Sequence, residues 1–241
     1  MIELLNVNKS YNGKIKAVDN LNLTVRDGEI LGFLGPNGAG KTTTIKMITG
    51  IINSDSGNIK IDGIDIKDNP IRAKKQFGFV PDSPDMFLKL KGIEYLNFIS
   101  DIYEVPMKER KSKIEDLSKR LNMDHALGDK IQSYSHGMRQ KIVIMGVLIH
   151  NPNVWILDEP MTGLDPKSSF MLKEMMREHA RKGKSVFFST HVLEVAEKLC
   201  DRIAIINKGK ILRCGTIDEI KEHFKTNESL EDIFLEVTKN E

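Results

Sequence analysis

The chain has 241 residues and only two cysteines, Cys200 and Cys214. That is too few for a disulfide framework or a zinc site, and both read as reduced thiols of a cytosolic protein. A secretory signal is missing, because Met1-Ile2-Glu3-Leu4-Leu5 has no basic region followed by an apolar run. No stretch approaches the ~20 apolar residues of a membrane span. The most apolar helical segment, residues 142–149, is far shorter and reads as a buried helix. An excess of one charge is missing too: 36 basic against 34 acidic residues leave a net +2. This near balance gives no electrostatic argument for nucleic acid, and the many Lys and Glu read as solvated helix faces. There is no internal repeat and no low-complexity tract. What remains is an ordinary globular composition, 40% hydrophobic and 29% charged, long enough for one large domain or a domain with a lobe.

Patterning then divides the chain. Leu21, Leu23 and Val25 alternate with Asn22 and Thr24, which predicts a half-buried antiparallel strand. Residues 29–34 form a mostly apolar run ending at Gly35 and predict a buried strand. Residues 41–50 predict a helix closed by Gly50. Residues 58–62 alternate again, with Gly63 as a turn. From residue 82 the spacing becomes helical. Ile93, Leu96, Phe98, Ile99, Ile102 and Tyr103 predict one helix; Ile114, Leu117 and Leu121 mark the face of a charged second helix over 107–122; a third follows Ser135. Short apolar strands at 154–157, 185–189 and 203–207, separated by helices near 167–181 and 191–199, predict a parallel sheet. Residues 1–81 and 151–215 thus read as two parts of one α/β core, 82–150 as an inserted helical lobe, and 216–241 as a helical tail. The tail opens on a capping box, Thr216 with Glu219, and a weaker one starts at Ser229.

Gly35-Pro36-Asn37-Gly38-Ala39-Gly40-Lys41-Thr42 matches the phosphate-loop pattern in full. It follows a predicted buried strand and opens a predicted helix, which is the arrangement the pattern requires. Glycines let the backbone wrap so that successive N–H groups point at phosphate oxygens. The free N–H groups and positive end of the following helix favour the same anion. Lys41 is placed to reach the β- and γ-phosphates, Thr42 to ligate Mg²⁺, and Thr43 to bond the α-phosphate.

A second chemical site follows. Val154-Trp155-Ile156-Leu157-Asp158-Glu159 is a buried strand ending in two acids. In a parallel sheet that end lies at the carboxyl edge, where ligands bind. Asp158 can hold a magnesium shell, and Glu159 can polarise or deprotonate the attacking water. An acid pair after an apolar strand often merely caps it; the phosphate loop upstream is what favours the catalytic reading.

With these residues in order, the chain resembles the nucleotide-binding subunit of ABC transporters over about residues 1–215. Ser135-His136-Gly137-Met138-Arg139-Gln140 resembles the family's signature, Gly163-Leu164-Asp165 its D-loop, and Ser189-Thr190-His191 its switch-histidine motif. Tyr11 matches the aromatic residue that stacks on adenine. The resemblance implies a P-loop NTPase core with a mostly parallel sheet, an N-terminal antiparallel β subdomain and an inserted α-helical lobe. It implies ATP and Mg²⁺ as cofactors and a second nucleotide-binding subunit, the same chain or another. Two copies would sandwich ATP head to tail, each γ-phosphate meeting Lys41 and His191 of one copy and Ser135, His136 and Gly137 of the other. The tail resembles exporter-type subunits, which implies transport, read as export, through a separate integral-membrane permease. That permease would dock near Pro84, Met86, Phe87 and Leu88, with this subunit at the cytoplasmic face of the membrane. No nucleic-acid partner is expected.

Two departures from the family pattern stand out. His136 occupies a signature position where glycine is usual, so its side chain could crowd the partner's nucleotide or add a contact. Asp82 replaces a glutamine after Pro81; it can still sit near Mg²⁺ or the water but brings negative charge toward phosphates. Two other classes compete with this reading: a soluble ATPase of the family acting on ribosomes, DNA or Fe–S assembly, and a non-catalytic binding module. The chain has neither a second nucleotide unit nor a long coiled-coil insert. GTP is disfavoured because Asn207-Lys208-Gly209-Lys210 lacks the acid that would read guanine.

Overall fold

A computed structural model describes residues 1–13, 15–223 and 230–239. Strands β1 (Ile2–Tyr11), β2 (Ile15–Val25), β4 (Ser56–Ile61) and β5 (Ile64–Asp65) form an antiparallel sheet in the order β2-β1-β4-β5. Strands β3 (Ile30–Leu34), β6 (Phe77–Val80), β7 (Val154–Asp158), β8 (Ser185–Thr190), β9 (Arg202–Asn207) and β10 (Lys210–Gly215) form a second sheet, ordered β10-β9-β3-β8-β7-β6. Its neighbours are parallel except for β9 and β10, an antiparallel pair. Every residue of β3, β7 and β8 is buried, as a parallel sheet covered on both faces requires.

The two faces of β7 feed different cores. Val154 and Ile156 pack with Leu4, Phe33 and Ile45 between the sheets, whereas Trp155 and Leu157 pack with the helices. This is the period of two that a strand imposes. Helix α1 (Lys41–Ile48) follows the phosphate loop, and Gly50, in the left-handed region at φ 65°, ends that turn. The short helix α2 (Pro70–Lys74) precedes β6. Helices α3 (Gly92–Ile102), α4 (Met107–Arg120) and α5 (His136–Ile149) occupy the stretch between β6 and β7. Helices α6 (Pro166–Arg181) and α7 (Leu193–Leu199) separate the later strands. The tail adds α8 (Ile217–His223) and α9 (Leu230–Lys239), with Leu230 and Ile233 packed beside Leu34, Ala196 and Ile205.

Thr216 completes its capping box: its N–H donates to Glu219 Oε2 at 2.7 Å, and Glu219 N donates back to Thr216 Oγ1 at 3.1 Å. The other capping box begins at Ser229, which lies outside the described residues. The apolar spacing of α3 does not correspond to one buried face. Tyr95, Leu96 and Ser100 are buried, while Phe98 and Ile102 are exposed. Helical spacing reports an apolar stripe, and α5 covers only part of it. Strand β10, which is not among the elements predicted above, pairs with β9 through a tight turn holding Lys208 and Gly209 at positive φ.

Candidate active site

The phosphate loop is held open from both sides by backbone. Gly40 sits at φ 108°, and a β-carbon there would run into the carbonyl of Ala17; one on Gly35 would run into that of Ile206. Gly209 N donates to Ala39 O at 2.9 Å, and Thr44 Oγ1 donates to Gly40 O at 2.9 Å. The loop is therefore pinned to the β9–β10 turn on one side and to the first turn of α1 on the other. Lys41 opens α1 with its side chain only 7% exposed, and its ammonium curls back to donate to Gly35 O at 2.7 Å and Pro36 O at 3.3 Å. No acid occupies the first turn of α1, so the positive end of the helix is uncompensated there.

Glu159 arrives from the other direction. Strand β8 lies between β3 and β7, and Ser189 on it joins the two acids: its Oγ donates to Asp158 Oδ1 at 2.5 Å and accepts from Glu159 N at 3.0 Å. Glu159 itself is in the left-handed region at φ 46°, a conformation costing a non-glycine residue on the order of 1 kcal/mol. That turn sends its carboxylate to Lys41, with Oε1 3.7 Å from Nζ, and to His191, with Oε2 3.0 Å from Nδ1. Asp158 is buried behind it, and His191 is exposed in front.

Lys41 and Glu159 face a cleft of about 230 Å³, and Asp158 and His191 are not among the residues lining it. Pro36, Asn37, Gly38, Gly40, Lys41, Thr42, Thr43, Asp82 and Glu159 line it, joined by Ala17 from β2, which the sequence did not single out. Gly35 and Ala39 complete the loop around it. A roomier cleft of about 410 Å³ beside Met47, Ile59 and Ile66 carries no carboxylate, so chemistry and not volume identifies the site. Tyr11, at the end of β1 and 42% exposed, is not among the residues lining the cleft.

Ser135, His136 and Gly137 are elsewhere in the chain's own fold. Ser135 caps α5, its Oγ accepting from Met138 N at 3.3 Å. The His136 ring lies on Gly163, so it is turned toward its own chain. Asp165 caps α6, accepting from Ser168 N at 3.0 Å and from the Ser168 hydroxyl. Those Ser168 hydrogen bonds, with help from Lys141, bring the Asp165 carboxyl down to about 2.

The site has close relatives. The family model described as ABC transporter matches residues 18–162. NatA of Bacillus subtilis, an ABC transporter ATP-binding protein, is 34% identical over 239 residues, covering 98% of this chain and 97% of its own length. EcsA of the same organism is 34% identical over 223 residues, covering 92% and 90%. A solved ATP-binding subunit of an ABC transporter superposes with a TM-score of 0.95 at 31% identity, covering 99% of this chain and all of that one. The dimeric cassette MJ0796, in a post-hydrolysis state with ADP and Pi, superposes with a TM-score of 0.82 at 26% identity, covering 90% and 99%. A pinned phosphate loop after β3 facing a carboxylate at the end of β7, two strands across, and likeness along the whole length to ABC transporter ATP-binding subunits lead to one conclusion: the chain belongs to the ABC transporter family as an ATP-binding subunit, an ATPase.

Proposed function

We propose that this subunit binds ATP with Mg²⁺ in the Lys41–Glu159 cleft and hydrolyses it to power export through a separate membrane-spanning permease. The observation that carries this reading is the convergence of the Lys41 ammonium and the Glu159 carboxylate on one cleft from two different strand ends. The amides of 38–42 and Lys41 hold the β- and γ-phosphates. Glu159 takes the proton of the attacking water as its oxygen bonds the γ-phosphorus and ADP leaves. His191 fixes the Glu159 carboxylate from the open side and meets the γ-phosphate. Tyr11, outside the lining of the cleft, stacks on adenine.

The donors near the loop are hard oxygens: the Thr42 hydroxyl, and the carboxylates of Asp158 and Asp82. Among the described residues no cluster of three or more His, Cys, Asp and Glu could hold a metal alone. This suits magnesium, which takes one or two protein carboxylates and completes its shell with substrate phosphates and water. Bound there, Mg²⁺ would neutralise charge developing on the phosphates.

Two copies close over two nucleotides, with Ser135, His136 and Gly137 of each presenting the start of α5 to the other's γ-phosphate. That the MJ0796 cassette is dimeric supports the pairing of two copies. Among the described residues no helix is long and apolar enough to cross a membrane, which suits a peripheral subunit at the cytoplasmic face. Of the docking residues read from sequence, Met86 and Phe87 are exposed, Leu88 is half-buried and Pro84 is buried. Phe87 packs on Phe98, itself exposed, with ring centroids 5.4 Å apart, so the apolar surface offered to a permease is Met86, Phe87, Phe98 and Ile102.

Glu159→Gln should cut turnover at least ~10²-fold and accumulate an ATP-bound dimer by size exclusion. Lys41→Ala should lose nucleotide affinity in equilibrium binding. Steady turnover by the first variant, or full affinity in the second, would sink the assignment. Phe87→Glu should keep soluble ATPase activity and abolish co-purification with a membrane protein; retention of that partner would remove the docking surface.

A further inference from the structure

Glycine at position 163 and histidine at position 136 are sterically matched. Gly163 sits at φ 74°, and a β-carbon there would run into Cδ2 of the His136 ring and stand 2.9 Å from its Nε2. The fit is reciprocal, since a β-carbon on Gly137 would stand 2.9 Å from the Gly163 carbonyl oxygen. One turn further along α5, Lys141, with its side chain 12% exposed, places Nζ 3.5 Å from Asp165 Oδ2. Positions 137 and 141 share a helix face, so α5 meets the loop after β7 with backbone, an imidazole lid and an ion pair.

The other end of that loop is Glu159. Thr162 N donates to Glu159 O at 3.1 Å, and Leu164 N donates to Met161 O at 3.2 Å. Two consecutive turns therefore separate the Glu159 backbone from Gly163, with no slack segment between them.

We infer that His136 is a positioning residue that clamps the loop carrying Glu159 onto the start of the chain's own α5. The inference rests on the reading above, in which the start of α5 meets the nucleotide of a second copy. A displacement of α5 by that nucleotide then moves Gly163, and through the two turns it moves the Glu159 carboxylate in the chain's own cleft. The side chain at 136, a departure from the family's usual glycine, makes the link between the two ATP sites stiffer by filling the space over Gly163.

The contact and the coupling are tested separately on the full chain. In nucleotide-free protein, His136→Gly should speed hydrogen exchange of the 161–165 amides several-fold, and His136→Phe, which refills the space, should restore protection. Gly163→Ala should destabilise the wild type more than it destabilises the His136→Gly protein, because only the former has a ring to strike. In ATPase assays, the Hill coefficient for ATP should fall toward 1 in His136→Gly and recover in His136→Phe. Unchanged exchange in His136→Gly, or equal cost of Gly163→Ala in both backgrounds, overturns the clamp. A lost clamp with wild-type cooperativity overturns the coupling. Failure of the wild type to form any ATP-dependent dimer would instead defeat the functional reading, while the nucleotide-free results would stand by themselves.

Discussion

At the scale of single residues, the site depends on backbone that ordinary side chains resist. Gly40 and Gly38 both have positive φ, yet their surroundings differ. A β-carbon at Gly40 meets the Ala17 carbonyl, whereas one at Gly38 meets nothing within 4 Å. Gly40→Ala should therefore cost about 3 kcal/mol, strain plus displaced backbone, and Gly38→Ala about 1 kcal/mol, strain alone. Urea unfolding of the two variants checks the order; equal costs would mean that the Ala17 contact yields freely. Glu159 is the converse case, a side chain in a conformation that suits glycine, and Ser189 holds its N–H in place. Lys41 and Glu159 were both legible in the sequence because each ends or begins a local pattern. Ser189 was quoted only for its place beside His191; its two hydrogen bonds depend on β8 lying between the phosphate-loop strand and β7.

At the scale of elements, the caps argue most directly from sequence to structure. Ser135 and Asp165 each precede a helix and each accepts a hydrogen bond from the backbone N–H three residues on. Asp165→Ala should lower stability by about 1 kcal/mol and leave Lys141 without the carboxylate it approaches. Thermal unfolding measures the loss, and an unchanged midpoint would show that the start of α6 is held by other contacts. The apolar spacing of α3 does not by itself separate core from surface. Its spacing named Phe98 and Ile102 as readily as Leu96, and only the position of α5 separates those that it covers from those left in solvent.

At the scale of the whole molecule, two imidazoles, His179 buried and His150 half-buried, lie just before β8 and β7 begin, at the opposite ends of those strands from Glu159 and His191. His150, stacked on Tyr103 at 3.7 Å, and His179, edge-on to Trp155 at 5.7 Å, are both pushed from 6.5 down to about 4, mainly by burial and then by the field of Lys184. A base whose folded value is lowered resists protonation that the unfolded chain accepts. Its contribution is complete above pH 6.5 and is lost as pH falls from 6.5 toward 4. At 1.36 kcal/mol per unit, and allowing for partial exposure, the loss is on the order of 2 kcal/mol per ring by pH 4.5. Urea midpoints at pH 7.5 and 4.5 measure it, and the double variant His150→Phe, His179→Phe should flatten the slope. A slope as steep as wild type would move the effect to other groups.

The sequence by itself determined the class of chemistry and the class of fold. A glycine-rich loop between an apolar strand and a helix, and an acid pair at a strand end, are local patterns whose physics needs only neighbouring residues. The tertiary structure alone decided that Asp82 and Glu159 share the cleft of Lys41, that Tyr11 stands outside its lining, and that His136 turns onto Gly163. Periodicity reports which side of an element is apolar or charged. Which other element meets that side depends on strand order and on close backbone approaches between residues far apart in the chain.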